Sequence, residues 1–182
     1  MEVSLRLLSR DDASLLANMW PLYVHDIAAF DGRMPNRHGM LTDDEACADL
    51  GTQGEGVHGW WQDASMLFPY LIEVDGRAAG FNLIASNPFP TVRSHCDHLV
   101  HEFFVHHAWR GTNVAGRAAQ LGFEAHSGRW EIYTYPTHQR AIGFWRRVVK
   151  SASRGEFTEA PEELEWGQRV VWNFQTPGSS GA

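Results

Sequence analysis

The stretch over residues 98–116, HLVHEFFVHHAWRGTNVAG, constrains the fold more than any other part of this sequence. Its first eight residues, 98–105, are rich in aromatic and aliphatic side chains and contain neither Gly nor Pro, which predicts a strand. A turn of small and polar residues follows. Residues 114–123 then predict a helix. The stretch is therefore expected to be a strand that feeds directly into a helix.

A strand followed by a small-residue turn and a helix is suited to binding an anion. The first N–H groups of a helix have no partner inside it, and the helix dipole favours negative charge there. Small residues let the backbone approach a phosphate closely, and Arg110 and Arg117 add positive charge. The ligand expected at this turn is a pyrophosphate.

These residues resemble the central motif of the GNAT superfamily of acyl-CoA-dependent N-acyltransferases, in which a strand and a short turn precede Arg/Gln-x-x-Gly-x-Gly/Ala. Arg110 and Ala115 match the motif. Asn113 stands where the family usually has Gly, and Asn is the ordinary residue that best tolerates left-handed or turn geometry.

A second segment agrees with the resemblance, which motifs support over residues 65–150. Residues 128–132 and 141–147 are similar to the family's next strand and the helix packed beside the cofactor. His138 stands where the family has Asn, and Trp145 stands where it often has Tyr. The resemblance implies an acetyl-CoA (coenzyme A) cofactor lying between two central strands that splay apart.

Hydrophobic spacing and turn residues predict the rest of the fold. The predicted elements are a strand at 3–8, a helix at 12–30 that Pro21 kinks or splits, a short capped helix at 42–50, a mobile glycine-rich segment at 51–59, a hairpin of strands at 66–74 and 78–85, a strand at 130–135, a helix at 138–149, and strands at 154–157 and 169–174. The hairpin forces antiparallel pairing, so the fold class is α+β, a mixed and mostly antiparallel sheet with helices on both faces. Residues 1–176 are expected to form one domain, followed by a flexible tail at 177–182.

Composition narrows the class of protein further. The 182 residues are 43% hydrophobic. Their net charge of −7 argues against a protein that coats nucleic acid. No apolar run approaches the length needed to span a bilayer, and no signal peptide is visible. The two cysteines, Cys47 and Cys96, form no disulfide framework, so a cytoplasmic location is expected. The strand at 170–172 could pair across a homodimer or lie inside the sheet.

Glu102 is the first candidate for catalysis. An amine must lose a proton to attack a thioester, and a carboxylate can take it directly or through water. In a regular strand His98 shares a face with Glu102 and could relay that proton, whereas His101 points the other way. The family's leaving-group acid falls on Trp145, which cannot serve, so Tyr133 or Tyr135 is a substitute, unless the thiolate needs no acid.

The cofactor candidates are the end of the strand, the turn, the helix start and two residues of the later helix. The resemblance implies that a backbone N–H of Phe104 or Val105 holds the oxyanion, and that the pyrophosphate lies on the turn. His138 could touch the cofactor or cap its helix. The cofactor-binding set is Phe104, Val105, Arg110, Gly111, Thr112, Asn113, Val114, Ala115, Gly116, Arg117, His138 and Trp145.

The acceptor side is expected to lie over residues 20–39, as the early helices do in the family. Tyr23, Asp26 and Asp31, together with His25, could hold a cationic amine. The partners expected are therefore an acyl-CoA and a small amine acceptor, with no nucleic acid and no membrane.

Two other functions remain open at this point. A GNAT fold that binds acyl-CoA without turnover would be a regulatory module, and the residues at 138 and 145 keep that hypothesis open. The histidine-rich stretch, including His95 and Cys96, raises a metal hydrolase as a third hypothesis, although no H-E-x-x-H or C-x-x-C motif is present and no metal is expected.

Overall fold

The computed structural model describes residues 1–177, so the tail predicted at 177–182 lies, apart from Pro177, outside the described chain. This part of the chain contains seven strands and four α-helices. The strands are β1 Val3–Leu7, β2 Leu67–Val74, β3 Arg77–Ser86, β4 His98–Val105, β5 Arg129–Thr134, β6 Phe157–Leu164 and β7 Gly167–Gln175. The helices are α1 Ala13–Asp31, α2 Leu50–Glu55, α3 Val114–Ala125 and α4 Gln139–Ala152.

The strands form one mixed sheet in the order β1-β2-β3-β4-β5-β7-β6. All neighbouring pairs are antiparallel except β4 and β5, which run parallel. The hairpin between β2 and β3 turns at Asp75 and Gly76, which have φ of 49° and 74°. Two positive φ values in sequence give the twist that a two-residue hairpin needs. The predicted fold class is confirmed.

The sheet opens between its two central strands. The pairing of β4 with β5 covers only three residue pairs and ends at Val100 and Ile132. Beyond that point β4 pairs only with β3, while β5 pairs only with β7. The two strands therefore splay apart into a gap, as the resemblance implied, and this gap positions the candidate site.

A separate apolar core covers each face of the sheet. On one face, α1 and the 3₁₀ helix Gly56–Trp61 bury Leu16, Met19 and Val57 against Phe81 and other side chains of the sheet. On the other face, α3 and α4 pack on the sheet around Trp130 and Trp172, whose side chains are fully buried. Burying apolar side chains of this size supplies most of the driving force for folding.

Several predicted elements were wrong or shifted. The helix predicted at 42–50 is irregular chain, because Asp49 caps a later helix by accepting from the N–H of Thr52. The segment 51–59, predicted to be mobile, forms α2 and the following 3₁₀ helix. Pro21 lies inside α1 without splitting it. The strand predicted at 154–157 begins only at Phe157, because Gly155 and Arg154 have positive φ.

The topology settles whether the strand at 170–172 is internal or free to pair with another chain. The strand β7 lies between β5 and β6, so it is internal and cannot pair across a dimer; β1 and β6 are the edge strands. Across residues 1–177, no helix has the length and apolar character that crossing a membrane requires.

Candidate active site

A β-bulge in β4 determines where its side chains point. Leu83 on β3 pairs with Glu102, while the next residue, Ile84, pairs with Val100, so His101 is the extra residue. A bulge of this kind interrupts the regular alternation of faces. His101 and Glu102 therefore both face α1 and the 3₁₀ helix after α2, where His101 meets Trp60 edge-on with ring centroids 5.3 Å apart.

The bulge overturns the expectation that His98 shares a face with Glu102. His98 lies on the opposite face, where its Nδ1 is 2.7 Å from the hydroxyl of Ser86 and its Nε2 is 3.2 Å from the carbonyl oxygen of Ser127. It is His101 that lies beside the carboxylate, with Nδ1 3.4 Å from Glu102 Oε1. The structure does not bring His98 and Glu102 together.

Glu102 accepts a hydrogen bond from the phenol of Tyr23 on α1. Burial, reinforced by the charge of Glu102, raises the pKa of Tyr23 well above its usual range, so this phenol keeps its proton. The side chain of Glu102 is 23% exposed. It is thus fixed in position yet still open to a substrate.

A cavity of about 400 Å³ lies in front of Glu102. Tyr23 and Asp31 of α1 form one side of it, and Tyr133 of β5 forms another, across the gap from β4. Burial, together with the charge of Glu102, raises the pKa of Tyr133, so its hydroxyl is also a proton donor at neutral pH. The structure thus gathers a carboxylate and two protonated phenols at one cavity.

The backbone of β4 also faces the gap. The N–H of His106 donates to Ala79 O on β3 at 2.8 Å. Because successive residues of a strand direct their backbone groups to opposite sides, the N–H and C=O of Val105 point away from β3, into the gap. Of the two predicted oxyanion donors, Val105 has this orientation and Phe104 does not.

The turn between β4 and α3 presents unpaired backbone N–H groups. Among the described residues, the amides of Gly111, Thr112, Asn113, Ala115 and Gly116 donate to no protein acceptor. The turn needs a left-handed residue at Gly111, with φ of +79°, and not at Asn113, whose φ is −81°. The side chain at the family's Gly position is therefore compatible with the turn.

The two arginines predicted to add positive charge, Arg110 at the turn and Arg117 in α3, already have acidic partners. Arg110 donates through Nε to Val105 O at 2.8 Å and forms an ion pair with Asp26 of α1. Arg117 pairs with Glu124 at 2.9 Å on the surface of α3. Asp26, predicted to hold an amine, is thus bound to Arg110, because α1 crosses over the end of β4.

Trp145 of α4 and His138 just before it, both predicted to bind the cofactor, contact aromatic side chains of the protein. Trp145 is only 6% exposed and lies in the core, edge-on to Phe103 at 5.2 Å. His138 precedes α4 but makes no capping hydrogen bond. Its ring instead stacks on Phe30 of α1 at 3.8 Å, and burial lowers its pKa.

Asp31 and Tyr23, which the sequence analysis proposes for binding the amine, line the cavity. The carboxylate of Asp31 is 3.1 Å from the guanidinium of Arg33 and also accepts from the Arg33 backbone N–H at 2.8 Å. One oxygen of Asp31 nevertheless lacks a hydrogen bond, because the guanidinium does not approach it along a favourable direction.

Sequence reasoning missed Arg169, which lies on β7 and also lines the cavity. In the sequence it stands at the start of a largely apolar strand pattern, 169–174. Its link to Glu102 depends on the chain order of the sheet, in which β7 inserts between β5 and β6. No local signal in the sequence reveals that placement.

The candidate metal residues only partly come together. His95, Cys96 and Glu131 offer ligand atoms within 4.8 Å of one another. Glu131, however, already binds the guanidinium of Arg93, and burial raises the pKa of Cys96 to about 12, which disfavours the thiolate that a metal needs. These groups do not line the cavity beside Glu102.

This protein is similar to known proteins in its fold but not in its sequence. The chain matches no protein-family model and no curated protein sequence. Its structure matches an acetyltransferase from Thermus thermophilus with a TM-score of 0.67 and 13% identity, over 96% of this chain and 97% of that one. It also matches RimJ from Mycobacterium smegmatis in complex with CoA-disulfide, with a TM-score of 0.63 and 16% identity, over 99% and 85%.

A third similar structure is the aminoglycoside acetyltransferase AAC(6')-Ib in complex with coenzyme A, with a TM-score of 0.63 and 13% identity, over 96% of this chain and 95% of that one. Identities this low establish the fold alone. The chain has the GNAT fold of these acetyltransferases, which confirms the fold that the motif resemblance implied.

Proposed function

We propose that the chain is an acetyl-CoA-dependent N-acetyltransferase that acylates a primary amine of a small molecule or peptide. The observation that carries this proposal is the position of Glu102. Its carboxylate stands just beyond the point where β4 leaves β5, held by Tyr23 and open to a cavity. A general base is needed at such a place if the thioester lies in the gap.

The turn after β4 supports a CoA cofactor. Its unpaired N–H groups suit a pyrophosphate, and the neighbouring gap leads from the turn toward Glu102. RimJ and AAC(6')-Ib, which share the fold, were solved with CoA-disulfide and coenzyme A. Because Arg110 and Arg117 are paired within the protein, backbone amides would carry most of the contact with phosphate.

The proposed reaction proceeds by direct attack in a ternary complex. The amine nitrogen forms a bond to the thioester carbonyl carbon, and Glu102 takes the proton that the nitrogen loses. The backbone N–H of Val105 stabilises the oxyanion. The C–S bond then breaks, and the CoA thiolate leaves with a proton donated by Tyr133 or water.

The proposed compartment and acceptor follow the same reasoning. Cys47 and Cys96 are free thiols and both are buried, which suits the reducing cytoplasm that we propose as the location. Among proteins with this fold, AAC(6')-Ib is an aminoglycoside acetyltransferase. A small amine is accordingly the acceptor class that we propose for this chain.

Replacing Glu102 tests the proposal. Glu102→Gln keeps an acceptor for the phenol of Tyr23 but removes the base, so release of CoA thiol in the presence of amines should fall by about 10²- to 10⁴-fold. Affinity for acetyl-CoA should not change, because the carboxylate lies away from the turn. Glu156→Gln, at an exposed position before β6, is the matched control and should keep full activity.

The same experiment separates the alternatives. A regulatory module would bind acetyl-CoA in both forms but release no thiol with any amine. A metal hydrolase would lose its activity with a chelator, whereas the proposed reaction is insensitive to chelation. Equal turnover in Glu102→Gln and wild type would remove Glu102 from the mechanism.

A further inference from the structure

Arg169 is a charged residue of the cavity that has no ion-pair partner among the described residues. In the part of the chain that the structure describes, the other charged side chains there have partners: Asp31 pairs with Arg33, and Glu102 accepts from Tyr23. Arg169 makes no ion pair within residues 1–177. It is nevertheless only 8% exposed.

The surroundings of Arg169 explain why it is unpaired. Its guanidinium lies 4.0 Å above the ring of Tyr135 and donates through NH1 to Gln168 O at 2.8 Å. The carboxylate opposite it on β6 is that of Glu162, which instead binds Arg93 NH1 at 2.6 Å. The acidic side chain opposite Arg169 in the sheet therefore already has an ion-pair partner.

An arginine in this state is suited to binding an anion. The guanidinium has five N–H donors, and this one uses a single protein acceptor. A charge that is largely removed from water is costly unless it is paired. Carboxylates match the planar fork of Arg with two parallel hydrogen bonds. A carboxylate entering the cavity would meet both requirements.

We propose that the acceptor is an amino acid, or another small compound that carries both an amine and a carboxylate. Its carboxylate binds Arg169 and its amine is presented to Glu102. This inference rests on the proposed acetyltransferase function. The carboxylate of Glu102, which accepts from a neutral phenol, and the guanidinium of Arg169, which makes no ion pair in the described chain, fit the two charges of a zwitterion, and both line the same cavity.

The cavity also fits such a molecule in size and lining. Its volume of about 400 Å³ lies in the range of small-molecule sites, about 300–1,000 Å³. Tyr23, Tyr133, Tyr135 and Trp166 form aromatic walls around it. An apolar or aromatic side chain on the acceptor would pack against these rings.

Matched acceptors provide the first test. Wild-type protein is assayed for CoA thiol release with acetyl-CoA and each of two pairs, phenylalanine against phenethylamine and leucine against isoamylamine. Loss of the carboxylate should lower kcat/KM on the order of 100-fold, mainly through KM, because Arg169 is then left unpaired. Equal kcat/KM within the pairs would overturn the proposal.

Variants of Arg169 provide the second test. Arg169→Met should remove the advantage of the amino acid and leave the amine unaffected, while Arg169→Lys should restore part of it. Arg77→Met, at an exposed position on β3, is the control. A merely structural role for Arg169 would lower both members of a pair equally, and that result would contradict the proposal.

A binding arm separates this inference from the proposed function. Melting temperatures are measured with phenylalanine or leucine, with and without free CoA. A shift in wild type that Arg169→Met abolishes supports the carboxylate site even if no acetyl transfer occurs. If neither amino acid binds or reacts, the inference fails while acetyl-CoA binding can still stand.

A final arm asks whether the carboxylate comes from the acyl donor. If Arg169→Met raises KM for succinyl-CoA and leaves KM for the amino acid unchanged, the anion belongs to the acyl group and the proposal is wrong. If it raises only the KM for the amino acid, the acceptor assignment holds.

Discussion

Replacing Arg93 tests whether a buried ion pair holds β5 in place beside the gap. Arg93 Nε donates to Glu131 of β5 at 2.6 Å, and its NH1 donates to Glu162 of β6 at 2.6 Å. The side chain of Glu131 is only 2% exposed, and that of Arg93 is 32% exposed. Tyr133 lies two residues beyond Glu131 on the same strand, so loss of this pair would disturb the wall of the cavity.

The magnitude follows from leaving a buried carboxylate without its partner. Removing one member of a buried pair costs about 3–5 kcal/mol, and the partial exposure of Arg93 places Arg93→Met near the lower value. A loss of ~3 kcal/mol should lower Tm by about 6 to 12 °C in a chain of this size. Urea unfolding followed by circular dichroism measures the free energy of unfolding directly.

Two further variants show whether the unpaired carboxylate of Glu131 causes the loss of stability. Glu131→Met leaves Arg93 paired with Glu162 and partly solvated, so it should cost less than Arg93→Met. The double variant should recover most of the loss, since an apolar pair replaces the buried charges. A loss below about 1 kcal/mol for Arg93→Met would refute the reasoning, because the pair would then behave like an exposed one.

Two other predictions concern stability. A Cβ at Gly80 would lie 2.0 Å from the carbonyl oxygen of Phe104, so Gly80→Ala should lower the free energy of unfolding by about 2–3 kcal/mol. The control Gly59→Ala has open space around it and should change the free energy of unfolding by less than about 0.5 kcal/mol. Equal melting curves for the two variants would disprove the close approach. Burial, together with the charge of His98, lowers the pKa of His126 to about 4, below the usual 6.5 of an unfolded chain. As the pH is lowered, the unfolded state therefore takes up the proton first. The free energy of unfolding should fall by about 1–2 kcal/mol between about pH 6.5 and pH 4, after allowance for the partial exposure of His126. Urea titrations across this range should show a flatter profile in His126→Gln, and an unchanged profile would exclude His126 as the source.

The strand, turn and helix around residues 98–116 were predictable because their signals are local. An uninterrupted apolar run, a turn of small and polar residues and the start of a helix each depend on neighbouring residues. The Asp75 and Gly76 turn is another local signal, and it predicted the antiparallel pairing of β2 with β3.

The arrangement of the site was less predictable because it depends on contacts between distant residues. The bulge at His101 reverses the face of every later side chain in β4, and no residue pattern in the sequence indicates this bulge. The ion pair of Asp26 with Arg110 joins residues 84 positions apart. Arg169 reaches the cavity only because β7 inserts beside β5.

The capping prediction at 42–50 failed for a different reason. Thr42 and Asp44 form local side-chain hydrogen bonds with nearby backbone N–H groups. Such bonds compete with helix formation as readily as they cap it. The helix begins instead after Asp49, where the side chain accepts from the N–H of Thr52 at 2.9 Å.

Isothermal titration of the wild-type protein with acetyl-CoA tests the central claim most directly, with S-acetylpantetheine as the matched ligand that lacks the nucleotide and pyrophosphate. The account predicts saturable binding of one acetyl-CoA per chain. Binding of S-acetylpantetheine should be much weaker, because the unpaired amides of the turn, which include those of Gly111 and Gly116, are suited to an anion that this ligand lacks. Gly116→Asp should weaken acetyl-CoA binding by about tenfold or more, since it places a negative charge beside those amides. No saturable heat with acetyl-CoA up to millimolar concentration would contradict the cofactor site and the acetyltransferase with it.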